Sequence, residues 1–131
     1  MRILVVDDDT VTSEVFTVLL GRAGFEVAVA KDGLMGVEMW EAGNFDLVLM
    51  DVQMPRMNGF EATRAIREKE AVRGSHTIIV AITAFALHND ELKCQAAGMD
   101  AYLSKPVDFK KCIDLIRELV PQEKELVGVT P

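Results

Sequence analysis

Five short apolar runs, each followed by an amphipathic stretch, limit what this chain can become more than any other feature of its sequence. The runs are residues 2–6, 25–30, 44–50, 77–82 and 100–104. Runs this short, rich in valine, isoleucine and leucine and bounded by polar or glycine residues, read as buried strands. Strict alternation of strand and helix with short connections implies a parallel sheet, right-handed crossovers and helices on both faces. The expected fold is α/β, a doubly wound five-stranded parallel sheet with five helices.

The helices are read from spacing and caps. After the first run, Asp7-Asp8-Asp9-Thr10 supplies a helix start, and Val11, Val15, Val18 and Leu19 form a helical stripe that ends near residues 21–24. Asp32 is the expected cap of a second helix over 33–42, with Leu34, Val37 and Trp40 facing inward. A third helix runs from about residue 59 to 70 and buries Phe60, Thr63 and Ile66 or their neighbours. A fourth covers roughly 87–97, closed by Gly98, and a fifth covers 107–119, with Ile113, Ile116 and Val120 on one face and Pro121 as its stop. Residues 1–120 are expected to form one domain, with a polar, weakly patterned tail over 121–131.

Composition removes several functions. A chain of 131 residues, half of them apolar, can bury a single core and is not disordered. Its net charge of −7 disfavours direct contact with nucleic acid or an anionic membrane surface. No charged-then-apolar leader follows Met1 and no apolar run approaches a membrane span, so a soluble chain is expected. Cys94 and Cys112 are too few for a disulfide framework and lack metal-ligand spacing; they read as reduced helix-face thiols. His76, in a loop, and His88, at a helix start, read as solvated surface residues.

The strand ends carry the chemistry. In open parallel sheets the carboxyl ends of the strands form the ligand-binding rim. With the first strand central, in the flavodoxin-like order 2-1-3-4-5, the rim collects Asp7, Asp8 and Asp9 from the first strand, Asp51 from the third, Thr83 from the fourth and Lys105 from the fifth. Crowded carboxylates invite a raised pKa or a divalent cation. Oxygen ligands without nearby histidine or cysteine favour Mg²⁺, with Mn²⁺ an alternative, over zinc. A cation, the lysine and the threonine hydroxyl together suit a phosphoryl group, whose transfer needs mostly positioning and charge neutralisation. A strand-end aspartate can then act as the nucleophile toward phosphorus.

These residues resemble a known family. The stretches 3–9, 46–59, 79–84 and 97–106, read as ILVVDDD, DLVLMDVQMPRMNG, IVAITA and AGMDAYLSKP, are similar to the receiver domain of two-component response regulators, and in wording lie closest to receivers of hybrid sensor histidine kinases. The resemblance implies that Asp51 accepts a phosphoryl group from a histidine kinase or histidine phosphotransfer protein. It implies that Asp8, Asp51 and the backbone carbonyl of Gln53 ligate Mg²⁺, that Asp7 binds the metal mainly through water, and that Thr83 and Lys105 contact the phosphoryl oxygens. Tyr102 is the implied switch aromatic on a face built from the fourth helix, fifth strand and fifth helix, and Gln53 and Phe85 are the implied tuners of dephosphorylation. The Lys105–Pro106 bond is expected to be cis. Gly36 stands where alanine is more usual, which is expected to weaken the second helix without touching the site. By this resemblance the protein is a phosphoacceptor switch that assists its own phosphorylation and slow autodephosphorylation, rather than a turnover enzyme. It is expected to be cytoplasmic, alone or as the cytoplasmic part of a membrane-bound hybrid kinase, and a monomer or weak dimer.

Two rivals come from other classes. Asp7-Asp8-Asp9-Thr10-Val11 also fits the Asp-x-Asp pattern of haloacid-dehalogenase-type phosphatases, with Asp7 as nucleophile, but that reading leaves residues 51–59 unexplained and lacks an acidic pair after Lys105. A flavodoxin-like binding module would need a phosphate-binding loop where this chain has three aspartates.

Overall fold

A computed structural model describes residues 1–54, 57–84 and 88–120, without the side chains of residues 88–90. Pro55, Phe85, Leu87, Pro121, the tail and the His88 side chain, all of which bear on the expectations above, lie outside the described residues. The elements alternate as β1 (Arg2–Val6), α1 (Thr10–Arg22), β2 (Glu26–Ala30), α2 (Gly33–Ala42), β3 (Leu47–Asp51), α3 (Gly59–Arg73), β4 (Ile78–Thr83), α4 (His88–Ala97), β5 (Ala101–Ser104) and α5 (Phe109–Leu119). The strands pair in parallel in the order β2-β1-β3-β4-β5, so the expected doubly wound topology is the observed one.

Strand pleat divides the interior into two cores. Leu4 and Val6 of β1 and Val48 and Met50 of β3 pack with Val37 and Trp40 of α2 and Ile66 of α3 on one face. Ile3, Val5, Leu47 and Leu49 pack with Phe16 and Leu20 of α1 and Cys112 and Ile116 of α5 on the other. Every residue of β3 is buried, as befits a central strand covered on both faces. Both cysteines are buried thiols outside any disulfide, and burial pushes the Cys112 thiol up to about 12.

The helices correct three expectations. In α1 the buried residues are Ser13, Phe16 and Leu20, whereas Val11, Val15 and Val18 are exposed. At 3.6 residues per turn the two sets lie on opposite sides of the helix, and the larger Phe16 wins the core through an edge-on contact with Phe109 of α5, centroids 5.1 Å apart. In α2, Val37 and Trp40 are buried as expected, but Leu34 is exposed and the rest of the inner face is Gly33 and Gly36. Gly36 is therefore more than a weak helix former: a Cβ there would lie 2.9 and 3.0 Å from the two γ-carbons of buried Val6, so its lack of a side chain sets how closely α2 approaches β1. The third helix buries Thr63 and Ile66 and half-buries Phe60; it runs to Arg73, longer than the sequence suggested, between an Asn58–Glu61 capping box and Gly74 in the left-handed region.

Away from the carboxyl ends of the strands lies a polar network that the sequence did not announce. Buried Glu70 pairs with Arg67 and accepts the Thr77 N–H, and Arg67 also reaches Asp100 at 2.9 Å, Thr77 O at 2.8 Å and Gly98 O at 2.9 Å. His76 is exposed as expected, and it adds a 2.8 Å contact to Asp100. The network ties α3 to the start of β4 and to the turn before β5.

Candidate functional site

The carboxyl ends of β3, β4 and β5 are locked side by side by backbone hydrogen bonds that continue past the strands, and the end of β1 is tied to β2 in the same way by Asp7 N–H on Ala30 O at 3.0 Å. Val52 N–H donates to Ile82 O at 3.1 Å, and Lys105 N–H donates to Thr83 O at 2.7 Å. Asp51, Thr83 and Lys105, far apart in sequence, are thereby delivered to one edge. The Lys105–Pro106 peptide is cis, as expected.

Asp7, Asp8 and Asp51 each offer a carboxylate oxygen, and these oxygens all lie within 4.8 Å of one another. Asp7 and Asp51 are buried, while Asp8 is exposed and opens the cluster to solvent. One oxygen of Asp51 accepts the Gln53 N–H at 3.0 Å and the Lys105 ammonium at 3.2 Å. Asp7 accepts the Asp9 N–H at 2.9 Å. The Asp7 carboxyl is pushed up to about 6, chiefly by burial; the Asp9 N–H works against the shift and the charge of Asp51 adds to it.

Asp9, the third acid of the run, does not join the cluster. It caps α1, accepting Val11 N–H at 3.1 Å and the Thr12 hydroxyl at 2.7 Å, and the Thr12 hydrogen bond holds its carboxyl below the usual range. That removes the second aspartate on which the phosphatase rival depends.

Thr83 is buried at the end of β4, opposite Ser104 in register. Gln53 is exposed, with its N–H on Asp51. Tyr102 stands on β5 opposite Ala81, partly exposed, beside a cavity of about 240 Å³ lined by Cys94, Met99 and Leu115 among others. Two supports have no counterpart among the sequence expectations. The buried Ser13 hydroxyl donates to Asp9 O at 2.9 Å beneath the acidic loop, and Gly59 lets the start of α3 press on β3, since a Cβ there would lie 2.4 Å from Asp51 O. Their sequence signals were a polar residue on the inner face of a helix and a glycine after a cap.

The donor set tests what the cluster can hold. Three carboxylates with no histidine or cysteine among them form a hard, anionic oxygen site of the type that takes Mg²⁺ or Mn²⁺. Nearby Lys105 supplies a fixed positive charge, suited to pairing with anionic oxygens and not to ligating a cation.

Comparison with known proteins agrees with this geometry. Residues 3–117 match the family model of the response regulator receiver domain. The chain is 39% identical over 120 residues to hybrid signal transduction histidine kinase I of Dictyostelium discoideum, an alignment covering 88% of this chain and 7% of that kinase, so the chain corresponds to a small fraction of that relative's length. Among solved structures it is similar to the receiver domain of Ssk1 in co-crystals with the histidine phosphotransfer protein Ypd1 of Saccharomyces cerevisiae, with TM-score 0.87, 30% identity and coverage of 90% of this chain and 87% of that one. It is also similar to the receiver domain of sensor histidine kinase PA1611 of Pseudomonas aeruginosa, which holds a magnesium ion in its active-site cleft, with TM-score 0.80, 35% identity and coverage of 89% and 94%.

Proposed function

We propose, from the premise that the chain belongs to the response regulator receiver domain family, that Asp51 accepts a phosphoryl group from a phosphohistidine and that the resulting charge switches the face formed by α4, β5 and α5. The observation that carries this reading is the cluster of Asp7, Asp8 and Asp51 carboxylates with Lys105 3.2 Å from Asp51.

An Asp51 carboxylate oxygen attacks phosphorus in line, the P–N bond to the donor imidazole breaks with its electron pair going to nitrogen, and an acyl phosphate forms. The Gln53 N–H and the Lys105 ammonium both hold the same oxygen of buried Asp51. The Lys105 ammonium moves from the carboxylate to the added phosphoryl oxygens, and the Thr83 hydroxyl donates to another. Asp7, Asp8, Asp51 and the Gln53 carbonyl are the residues that would hold Mg²⁺, or Mn²⁺ in its place. When bound, the cation neutralises charge on the phosphoryl oxygens. Water later attacks phosphorus and restores the carboxylate with release of phosphate, at a rate tuned by the side chains of Gln53 and Phe85; this makes the chain a self-assisting phosphoacceptor rather than a turnover enzyme.

Switching is a population shift: Thr83 and Lys105 bind the added charge better in one arrangement, and Tyr102 turns inward as Thr83 moves. The exposed valine stripe of α1 supports a docking role for the histidine-bearing partner, a histidine kinase or phosphotransfer protein. Val11, Val15 and Val18 face outward on the helix whose cap is Asp9, directly beside Asp8, so a partner helix lying on them brings its histidine to the rim. The acidic balance favours a protein partner over nucleic acid. No helix among the described residues is long and apolar enough to cross a membrane. A cytoplasmic setting and a monomer or weak dimer complete the reading.

The test is intact-mass measurement after incubation with Mg²⁺ and acetyl phosphate. Wild type should gain one phosphoryl group, and Asp51→Asn should gain none. An adduct that survives Asp51→Asn would transfer the nucleophile's role elsewhere and overturn the reading.

A further inference from the structure

We propose that Asp100, the residue before β5, is a positioning residue for Lys105: by pinning the amino end of β5 to β4 it sets the register that brings the Lys105 ammonium to Asp51 at the other end of the strand. The inference rests on the phosphoacceptor reading and names a residue outside the acidic cluster. The strand itself specifies its register weakly. β5 is an edge strand of four residues beside β4, and all four are half-buried or exposed, whereas every residue of β3 is buried. Register is strongly set where a face of the strand is buried and weakly set where it is not. Ala101 and Leu103 pack against the core beneath α1 and α5, and the first of them offers a single methyl group.

Asp100 supplies what the strand lacks. Its N–H donates to Ile79 O at 2.8 Å and its carboxylate accepts the Ile79 N–H at 2.8 Å, so it holds both peptide groups of one β4 residue, one step before the Val80–Ala101 pair. A register one residue out would break both contacts. The carboxylate is itself oriented: the oxygen on Ile79 also meets the Arg67 guanidinium at 2.9 Å, and the other oxygen meets His76 Nε2 at 2.8 Å. Arg67 is fixed in turn on Gly98 O at 2.9 Å and Thr77 O at 2.8 Å, carbonyls that stand just ahead of β5 and β4. Beyond that anchored rung, Ser104 stands opposite Thr83, Lys105 N–H donates to Thr83 O at 2.7 Å, and the Lys105 ammonium lies 3.2 Å from Asp51. A slip of one residue would carry Lys105 about 3.3 Å along the sheet and turn its side chain to the other face. Misplacing a reacting group by about 1 Å can already cost of order a hundredfold in rate. Asp7, Asp8 and Asp51 stand on or just after β1 and β3, so the acidic cluster keeps its geometry when β5 shifts.

The experiment uses the whole chain as Asp100→Ala, Lys105→Ala and the double variant. Phosphoryl uptake from acetyl phosphate is timed, Mg²⁺ affinity is read by calorimetry, and thermal unfolding confirms that each variant is folded at the assay temperature. Asp100→Ala should slow uptake at least about tenfold without weakening Mg²⁺ binding. The double variant should be no slower than Lys105→Ala alone, because a residue that acts through the lysine then has nothing left to position. Asp100→Asn, which keeps an acceptor for the Ile79 N–H, should restore most of the rate. Asp100→Glu keeps the charge for Arg67 but carries its carboxylate one bond beyond the Ile79 N–H; it should slow uptake as well, and it serves should Asp100→Ala fail to fold. A purely structural role would lower the melting temperature and leave uptake by the folded variant alone. Wild-type uptake in folded Asp100→Ala, or in Asp100→Glu where that variant stands in, overturns the proposal, and so do losses that multiply in the double variant. Wild-type protein that takes up no phosphoryl group overturns the phosphoacceptor reading and this inference with it, so the two failures are told apart.

Discussion

The Lys105 ammonium lies 3.2 Å from a carboxylate oxygen of Asp51, across 54 residues of chain. The pair closes one side of a cluster whose other members, Asp7 and Asp8, are also anions, so the lysine neutralises only part of the charge gathered there.

Removing that lysine separates two roles. Lys105→Ala should slow phosphoryl uptake from acetyl phosphate by about a hundredfold, the usual cost of losing one preorganised contact to developing charge. Mg²⁺ affinity should hold or rise, since the remaining carboxylates lose a competing cation. Parallel uptake time courses and calorimetry check both halves; a large loss of Mg²⁺ binding would contradict the assignment of Lys105 to the phosphoryl oxygens.

Asp7 makes metal-free stability depend on pH in an unusual direction. Its carboxyl titrates near 6 in the folded chain against 3.8 unfolded, so between those values the folded state holds the extra proton. Stability without metal should therefore fall as pH rises from about 4 to 6, by about 3 kcal/mol, and level off above. Asp7→Asn should flatten the curve. Urea unfolding in chelator across this window is the measurement. Because protons and cation compete for the same carboxylate, the apparent Mg²⁺ affinity should drop as pH falls below about 6.

The two faces of α1 should respond to substitution in opposite ways. Val18→Glu, on the exposed stripe, should change stability by less than about 0.5 kcal/mol and leave uptake from acetyl phosphate intact. It should also cut transfer from a phosphorylated histidine phosphotransfer protein by at least about tenfold, the effect of losing a contact worth about 1.4 kcal/mol. Phe16→Ala, on the buried side, should cost about 3–5 kcal/mol. Equal transfer rates for Val18→Glu and wild type would remove α1 from the docking surface.

Arg67→Ala should be among the most damaging changes far from the site. It leaves buried Glu70 without its cation, which costs about 3–5 kcal/mol in comparable pairs. Arg67→Ala combined with Glu70→Gln should recover part of that loss, because the uncompensated charge is gone. Denaturant unfolding of the single and double variants decides it.

The rim was legible in the sequence because it depends on strand ends alone. An apolar run that stops at an aspartate puts that aspartate at the sheet edge whatever surrounds it, so Asp51 and Asp7 could be placed from pattern and topology. Asp9 could not, since a carboxylate after a strand can serve either a cluster or a helix cap, and only the position of the Val11 N–H and the Thr12 hydroxyl decides. The Arg67–Glu70–Asp100 network was invisible for a related reason: surface-like charges reveal a buried partner only once α3, β4 and the turn before β5 have met.

What the sequence by itself determined is the alternation of strand and helix, the parallel sheet and the meeting of Asp7, Asp8, Asp51, Thr83 and Lys105 at one edge, because strand propensity and chain connectivity are local and additive. Tertiary structure alone decided which side of α1 faces the sheet and which residues complete the inner face of α2. The α1 sequence offers two apolar stripes on opposite sides, and the choice fell to Phe16 because Phe109 on a distant helix supplies its partner, which frees the valines for the surface. In α2 the inner face fell to Gly33 and Gly36, which lie so close to Met57 and Val6 that a side chain would collide there, and Leu34 was left exposed. Packing is a property of pairs of surfaces, and a sequence read one element at a time holds only half of each pair.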